Sequence, residues 1–499
     1  MKRFRKLSVC LLAIFSLSTG GDAASLTGTR PNIILVMTDD QGLGDLSCMG
    51  HDVLETPHLD KFYEGATRLM DFQVSPTCAP TRSALMSGRF PFMVGVTHTI
   101  LQRERMAQGV YTFPQALQSA GYTTGLFGKW HLGDDDPYLP QNRGFDEVLM
   151  HGAGGIGQVR FGDFEVNVRN RYFDNVLLHN ETVVQTEGFC TDVFFESAMA
   201  WVKKQHEAGQ SHFTYIALNA PHGPLIAPKH YKKRFLDMGY DDRSAGRFGM
   251  IENIDDNFGA MMAKLDEWGA LENTLVIFMT DNGAANLKGT LNGETVQHYN
   301  YDLRGSKNSP HEGGTHVPAF LQWGDKLGRG VDVDGLTAHI DIFPTLCELA
   351  GAELPAGMQP LDGRSFVPLL ENPEAEWADR KLFFHCGRWP AGKRDAAKFK
   401  DCAVRTERWR LVENEMLFDI EADPKETTDV AAEHPEVVKE LQAAYLEWWE
   451  ATEPKLVNEG LPRILAKEQP FAKRYEKQKE EQGIPEWAPA DVLELEYQQ

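Results

Sequence analysis

The stretch "NIILVMTDDQG", residues 32–42, decides the fold together with a second stretch, "NTLVIFMTDNG", residues 273–283. Each contains a continuous apolar run of strand length, followed by Thr, two side chains that carry oxygen, and Gly. Such runs are typical of strands buried on both faces, as in a parallel sheet. The carboxyl ends of parallel strands line one edge of the sheet, and ligands bind at that edge.

The chain repeats a helix-then-strand order three times. The three pairs are "FPQALQSAG" (113–121) before "YTTGLF" (122–127), "DVFFESAMAWVKKQHEAG" (192–209) before "HFTYIAL" (212–218), and "MIENIDDNFGAMMAKLDEWGA" (250–270) before "TLVIFM" (274–279). This alternation predicts an α/β fold with a mostly parallel sheet sandwiched by helices.

The pattern changes near residue 366 to short polar strands and a final helix. The new elements are "CAVRTERWRLVE" (402–413), "EMLFDI" (415–420) and "PEVVKELQAAYLEWWE" (435–450). We therefore expect a main α/β domain over residues 24–365, a smaller C-terminal α+β domain over residues 366–455, and an extended charged tail over residues 456–499.

The first 23 residues have the pattern of a secretory signal peptide: a basic start, the apolar run "LSVCLLAIFSLS" and the small residues of "GGDAAS". The apolar run is about a dozen residues long, whereas a membrane span needs roughly 20. We therefore expect an exported protein, secreted or periplasmic, with no membrane anchor.

The formal net charge is −22. Loss of residues 1–23 removes four basic residues and one acidic residue, a net +3, so the mature chain carries −25. A surface of this sign repels nucleic acid and other polyanions. An anionic substrate must therefore be bound by a local cluster of cations.

Four oxygen ligands follow the two decisive strands: Asp39, Asp40, Asp281 and Asn282. At one sheet edge they could converge on a hard cation, Ca²⁺ or Mg²⁺, and the scarcity of nitrogen and sulfur ligands argues against zinc. The alternative is that these residues only form turns. Their matched arrangement favours the metal site.

Cys78 lies at the predicted start of a helix, within "TCAPTRSALMSGR" (77–89). Free backbone N–H groups at such a position favour negative charge. The residue types alone leave two interpretations open, a reactive thiolate and a disulfide partner. The chain has seven cysteines and no CxxC pair, so neither a zinc site nor a dense disulfide framework is expected.

The segment Cys78-Ala-Pro-Thr-Arg82, followed by "SALMSGR", resembles the signature of the type I sulfatase family, arylsulfatase-like members of the alkaline phosphatase superfamily. In that family this cysteine is oxidised to formylglycine. Further motifs stand in the family's order: "TPHLD", "GYTTGLFGKWHLG", "NAPHGPLIAP", "IFMTDNG", "LRGSKNSPHEGGTHVPAF", "HIDIFPTLCELAG" and "LFDIEADPKETTDV". The resemblance implies an alkaline-phosphatase-like fold.

The resemblance also implies a site. Metal ligands, usually for calcium, would be Asp39, Asp40, Asp281 and Asn282. Catalytic residues would be Cys78 as formylglycine, Arg82, Lys129, His131, His222 and Lys307. A formylglycine-generating enzyme would be the partner in maturation.

The chemistry needs these residue types. A sulfate ester repels nucleophiles, so a divalent ion with nearby Lys and Arg must neutralise its oxygens. The hydrated aldehyde would attack sulfur with one hydroxyl and expel sulfate through deprotonation of the other. We expect His222 to protonate the departing alcohol and His131 to accept the proton of the second hydroxyl. Without the resemblance, Lys129 and His131 are more simply read as a solvated loop lysine and a structural histidine.

Several residues are expected to lie outside the chemistry. His339 and Asp341 are predicted to fix a helix start under the site, and the other mature cysteines to be structural: Cys48, Cys190, Cys347, Cys386 and Cys402. One departure from the family is His316 in "EGGTHVPAF", where Arg is common. If that position touches substrate, specificity differs.

Export, the acidic chain and long polar loops at 150–165, 286–302 and 384–394 favour a sulfated carbohydrate over a small aromatic sulfate as the substrate. Within or near these loops, Asp134, His298 and Arg388 are candidates for contacts to a sugar hydroxyl or a second anion. Two alternatives stay open: a phosphoester or phosphonate hydrolase of the same superfamily, and a non-catalytic protein that binds sulfated glycans.

Overall fold

The computed structural model describes residues 25–169 and 171–488, so the predicted signal peptide lies outside the described residues. A ten-stranded sheet forms the centre of the fold. From edge to edge its strands are β13 (Val331–Val333), β2 (Thr67–Leu69), β12 (Ala319–Gln322), β9 (Thr274–Thr280), β1 (Asn32–Thr38), β8 (His212–Ala217), β4 (Thr123–Lys129), β5 (Glu147–His151), β6 (Val176–His179) and β7 (Thr182–Gln185).

The five central strands, β9, β1, β8, β4 and β5, are parallel, and β12 and β6 flank them as antiparallel neighbours. The predicted mostly parallel sheet is confirmed. Side chains alternate between the two faces of the sheet along β1, as in any strand. Ile33 and Leu35 are buried in the hydrophobic core on one face, and Ile34 and Val36 are buried in the core on the other.

Helices cover both faces. They are α1 (Pro57–Gly65), α2 (Cys78–Ser87), α3 (Phe113–Ser119), α4 (Cys190–Glu207), α5 (Lys229–Asp237), α6 (Asp242–Glu267), α7 (Glu312–Thr315), α8 (Ile342–Ala350), α9 (Val367–Glu371), α10 (Pro435–Thr452) and α11 (Pro470–Glu481). Residues of α2, α3 and α8 pack on one face of the sheet, and residues of α1, α4 and α6 pack on the other.

The C-terminal region has its own antiparallel sheet in the order β15 (Leu382–His385), β16 (Cys402–Arg405), β17 (Trp409–Val412) and β18 (Met416–Asp419). Helix α10 contributes Leu441, Tyr445 and Trp449 to the core of this region. The predicted α+β character is confirmed, and the boundary after residue 365 stays a prediction. Two small ribbons complete the described strands: β3 (Phe72–Gln73) with β14 (Thr337–Ala338), and β10 (Lys288–Leu291) with β11 (Glu294–Gln297).

The segment after residue 455 differs from the extended tail that its charge predicts. It contains α11, whose Phe471 is buried and stacks on Phe164 with 4.9 Å between ring centroids. The Gln478 amide donates to Val183 O and accepts from Val183 N, both at 2.7 Å, so it satisfies the free edge of β7. The few apolar and amide side chains face the sheet, while the charged ones face solvent.

The six cysteines among the described residues are free. Within residues 25–169 and 171–488, no helix has both the length and the apolar content needed to span a bilayer.

Candidate active site

The register of β1 and β9 brings the two decisive motifs together. Thr38 pairs with Thr280, so Asp39 and Asp281 leave the sheet at the same level. Asp40 follows in the left-handed region with φ 67°, and its Oδ1 accepts a hydrogen bond of 2.9 Å from Asn282 Nδ2. All four predicted metal ligands are buried and adjacent.

Three predicted cations pair with the three carboxylates. Lys129 at the end of β4 lies 2.5 Å from Asp39 Oδ2. Arg82 donates from Nε and Nη2 to Asp281 Oδ2 at 3.0 and 2.8 Å, and Lys307 pairs with Asp40. Arg82 also donates to the Lys129 carbonyl at 2.8 Å, which links α2 to the end of β4. We call these six side chains the strand-end cluster: Asp39, Asp40, Asp281, Arg82, Lys129 and Lys307.

The carboxylates respond differently to the same burial. Burial raises the pKa of Asp281 to about 6, with neighbouring Asp39 adding to the effect. Burial also raises the pKa of Asp39, although Lys129 opposes it. Burial would raise the pKa of Asp40 too, but Lys307 and His222 hold it well below its usual range. Burial and mutual repulsion therefore oppose ionisation at Asp39 and Asp281, whereas Lys307 and His222 favour it at Asp40.

The donor set fits a divalent cation. Asp39 Oδ1 and Asn282 Oδ1 are buried and have no hydrogen-bond partner among the described residues. Asp39, Cys78 and Asp281 each offer an atom within 4.8 Å of the others, as do Asp39, Asp40 and His222. Unused buried oxygens next to crowded carboxylates are what a hard cation such as Ca²⁺ or Mg²⁺ requires.

Cys78 is the first residue of α2 and is 2% exposed. Thr77 precedes it in extended conformation, and Pro80 lies in the first turn, where a missing N–H is tolerated. Every residue of α2 is buried. The Cys78 side chain therefore starts from a fixed position beside Asp39 and Asp281.

His131 lies two residues after Lys129 in the left-handed region, with φ 62°. Its Nε2 lies 2.8 Å from Thr99 O. A carbonyl only accepts, so Nε2 carries the proton and Nδ1 keeps its lone pair. Nδ1 is buried and has no hydrogen-bond partner within the part of the chain that the structure describes. Burial and Lys129 keep the pKa of His131 well below its usual value, so the ring is neutral.

His222 follows β8. Its Nδ1 donates to Gly223 O at 2.8 Å, and its Nε2 lies 3.9 Å from Asp40 Oδ2. Burial and the charge of Lys307 lower its pKa to about 4. The structure thus brings together all ten residues predicted for the site.

Within the loop predicted at 150–165, residues 152–157, which we call the glycine loop, pack on both histidines, a contact that the residue pattern did not indicate. A Cβ added at Gly154 would overlap the His131 ring, and one at Gly155 would lie 3.4 Å from Cε1 of His222. Asp163 holds the loop by accepting from Gly152 N at 3.1 Å and Gly157 N at 2.5 Å. The run "GAGGIG" was the available signal, but it indicates only close approach to something.

Two further missed residues fix the backbone of His222. The Tyr172 hydroxyl lies 2.9 Å from Asn219 O and 2.5 Å from His222 O. Asn219 also donates from Nδ2 to that hydroxyl at 2.5 Å. Asn219 stands in "NAPHGP", so its role had a sequence signal, whereas Tyr172 had none.

The three candidate substrate contacts separate in space. Arg388 donates to Thr99 Oγ1 at 3.0 Å and so lies beside the anchor of His131. Asp134 instead accepts from Ala153 N at 3.0 Å and supports the glycine loop. His298 lines a cavity of about 820 Å³ together with aromatic residues, and its Nε2 lies 3.1 Å from Ser244 Oγ.

His316 faces protein rather than the strand-end cluster. Its Nε2 lies 2.8 Å from Met70 O and its Nδ1 lies 3.0 Å from Glu312 Oε2. Asp341 accepts from Ala338 N at 2.8 Å, and His339 lies 2.9 Å from Ser75 Oγ, in line with their expected structural role before α8.

Comparison with known proteins gives consistent matches. A family model described as Sulfatase matches residues 31–352, and one described as N-sulphoglucosamine sulphohydrolase, C-terminal, matches residues 298–450. The chain is 30% identical over 399 residues to the N-acetylgalactosamine-6-sulfatase of Canis lupus familiaris, across 74% of this chain and 71% of that protein. It is 28% identical over 530 residues to the steryl-sulfatase of Rattus norvegicus, across 87% and 92%. The structure of Ps i-CgsB in complex with k-i-k-neocarrahexaose is similar with a TM-score of 0.75 and 26% identity, across 86% of this chain and 94% of that one.

Proposed function

The chain belongs to the sulfatase family of enzymes, which hydrolyse sulfate esters, and we propose that its nucleophile is a formylglycine made from Cys78 and its substrate a sulfated carbohydrate. The observation that carries the proposal is the strand-end cluster. Arg82, Lys129 and Lys307 concentrate three cations around Cys78 in a chain of net charge −22. Fixed cations in a buried site stabilise charge that develops on sulfate oxygens.

The metal in this proposal is calcium, with magnesium as the alternative, and its ligands are Asp39, Asp40, Asp281 and Asn282. When bound, the ion neutralises negative charge on the sulfate and on the three carboxylates. The hydrated formylglycine supplies one hydroxyl for attack on sulfur and a second whose deprotonation releases sulfate.

His131 is suited to accept that proton. Thr99 O holds Nε2–H at 2.8 Å, so the lone pair of the neutral ring is on Nδ1. Nδ1 has no partner among the described residues and is available for the proton of the second formylglycine hydroxyl. The low pKa that burial and Lys129 impose keeps the ring unprotonated at neutral pH.

His222 is the proposed general acid. Gly223 O occupies Nδ1, so Nε2 is the nitrogen that can carry a proton to the departing alcohol. That step needs the imidazolium form of His222. A bound sulfate ester is negatively charged, so it offsets the charge of Lys307 and favours protonation of His222. Tyr172 and Asn219 fix the His222 backbone and act as positioning residues.

Two relatives support the carbohydrate assignment. One is an N-acetylgalactosamine-6-sulfatase, and the other, Ps i-CgsB, has a crystal structure in complex with k-i-k-neocarrahexaose. The polar loops around the site favour a sugar over the sterol that another relative's name indicates. The proposal includes export and maturation by a formylglycine-generating enzyme.

Sulfate release tests the proposal. The protein, loaded with Ca²⁺ and carrying formylglycine, is incubated with sulfated galactosamine, glucosamine and carrageenan oligosaccharides, and with 4-nitrophenyl sulfate and 4-nitrophenyl phosphate. We expect faster sulfate release from at least one saccharide than from the aryl ester. Faster phosphate release would favour a phosphoester hydrolase, and saccharide binding without release would favour a glycan-binding protein.

A further inference from the structure

A short segment of the C-terminal region, residues 385–388, lies on the rim of the active site, and we call it the rim segment. Cys386 Sγ donates to Asn308 O at 3.1 Å, next to Lys307. A Cβ at Gly387 would overlap Thr97 O. Only glycine therefore allows the backbone of the rim segment to lie this close to the backbone of Thr97. The rim segment therefore contacts both the loop of Lys307 and the loop that anchors His131.

Arg388 ends this segment in a fixed conformation. Its φ is 63°, and its backbone N–H donates to Thr97 O at 3.0 Å. Its Nη2 donates to Thr99 Oγ1 at 3.0 Å, and the carbonyl of the same Thr99 receives the His131 Nε2 proton at 2.8 Å. One residue thus separates the Arg388 guanidinium from the histidine ring.

The Arg388 guanidinium has no carboxylate partner among the described residues. Its Nε is buried and makes no hydrogen bond there. Nearby Arg103, in contrast, pairs with Glu459 at 2.8 Å and donates to Trp389 O at 2.6 Å. The accessible end of this half-buried guanidinium matches an oxyanion, which accepts charge-assisted N–H hydrogen bonds.

We infer that Arg388 binds a second oxyanion of the substrate, a sulfate ester or a uronate carboxylate next to the sulfate that is removed. The inference rests on the proposed function and narrows its substrate to a saccharide with two anionic groups. An acidic protein repels such a polyanion at long range, so each anion needs a local cation. Lys129, Lys307 and Arg82 serve the reacting sulfate, and Arg388 serves the other group.

The test compares kcat/KM for three disaccharides of one backbone: one sulfate ester, two sulfate esters, and one sulfate ester with a uronate. We expect the wild type to prefer at least one doubly anionic substrate. Arg388→Gln should reduce that preference roughly 10- to 100-fold, the effect of losing a charge-assisted hydrogen bond. Arg388→Lys should retain part of it, because the charge remains and the planar fork is lost. If Arg388→Gln lowers the relative kcat/KM of the disulfated substrate, the group that Arg388 binds is a sulfate ester. If it lowers that of the substrate with a uronate, the group is a carboxylate.

Arg329→Gln is the matched control. Arg329 is exposed, has no carboxylate partner among the described residues, and lies in a cleft with Thr274 at the opposite end of β9. The control should keep the wild-type preference. An equal loss of kcat/KM for all three substrates in Arg388→Gln would assign Arg388 to support of Thr99 and overturn the inference while the proposed function stands. Absence of sulfate release from every substrate by the wild type, with formylglycine verified, would overturn both.

Discussion

The strand-end cluster and the rim segment both carry buried or half-buried cations, but the cations of the two regions have different partners. In the cluster, Lys129 and Asp39 are both fully buried, and each cation already has a carboxylate within the protein. On the rim, Arg388 is half-buried, and within residues 25–169 and 171–488 the Thr99 hydroxyl is the hydrogen-bond partner of its guanidinium. In our proposal the buried cluster carries out the reaction and the rim selects among substrates, because loops on a rigid scaffold can change without disturbing the chemistry.

The largest expected effect separates chemistry from binding. Cys78→Ala should lower sulfate release by at least about 10⁴-fold, because it removes the proposed nucleophile. The variant should still bind a doubly anionic disaccharide, measured by calorimetry, since Arg388 and the cluster cations remain. Cys48→Ala, a substitution at a half-buried cysteine outside the site, should retain turnover. Sulfate release by Cys78→Ala at the wild-type rate would remove the basis of the comparison.

The second prediction concerns the metal. Chelation with EGTA should lower the melting temperature, and Ca²⁺ should restore it, since a ligand at 100 times its Kd adds about 2.7 kcal/mol to the free energy of unfolding. Asp39→Asn should weaken this calcium response and reduce kcat roughly 10²- to 10⁴-fold. Asp325→Asn removes an exposed carboxylate on a loop and should keep the full response. A calcium response in Asp39→Asn equal to that of the wild type would show that the ion binds elsewhere.

The third prediction probes the glycine loop with a single methyl group. Gly154→Ala should displace the His131 ring and lower kcat/KM for all substrates by roughly 10²-fold, the effect of a misplacement of about 1 Å. Gly109→Ala is the matched control, because nothing lies within 4 Å of a Cβ at that position. A change of substrate preference in Gly154→Ala, with turnover retained, would place the loop with the rim rather than with the chemistry.

The smallest effect should be on stability alone. His316 contacts two acceptors, Met70 O and Glu312, so both ring nitrogens carry protons, and Glu312 raises its pKa against the effect of burial. Because the pKa of His316 is higher in the folded state, its protonation stabilises the folded protein, and this stabilisation is complete at pH values below the unfolded pKa near 6.5. It is lost as the pH rises through the folded pKa. His316→Gln should therefore lower the free energy of unfolding by about 1–3 kcal/mol at pH 6 and by less at pH 8.

Urea unfolding at the two pH values measures this difference, and substrate preference should not change. An altered ratio of kcat/KM between singly and doubly anionic substrates would make His316 a substrate contact, as its departure from the family allowed. It would also extend the rim beyond residues 385–388.

The sequence pattern could predict the carboxylates of the strand-end cluster, because each of them directly follows a buried strand. Asp39 and Asp281 end strands whose apolar runs require burial, and parallel pairing then sets both at one edge. The motif resemblance added the role of Cys78 and five further residues: Arg82, Lys129, His131, His222 and Lys307. The glycine loop, Tyr172 and the position of Arg388 depend on packing between distant segments, which neither periodicity nor spacing encodes. Helix α11 was missed for a related reason. Most of its residues are charged, and it is fixed to the sheet by a few buried side chains, among them Phe471 and Gln478.

The most direct test of the central claim is the mass of the tryptic peptide "LMDFQVSPTCAPTR", residues 69–82, from protein produced in its native source and treated with a hydrazide. The account predicts an aldehyde at position 78 that the hydrazide captures. A peptide with only unmodified cysteine at position 78, from a preparation that releases sulfate, would contradict the formylglycine mechanism.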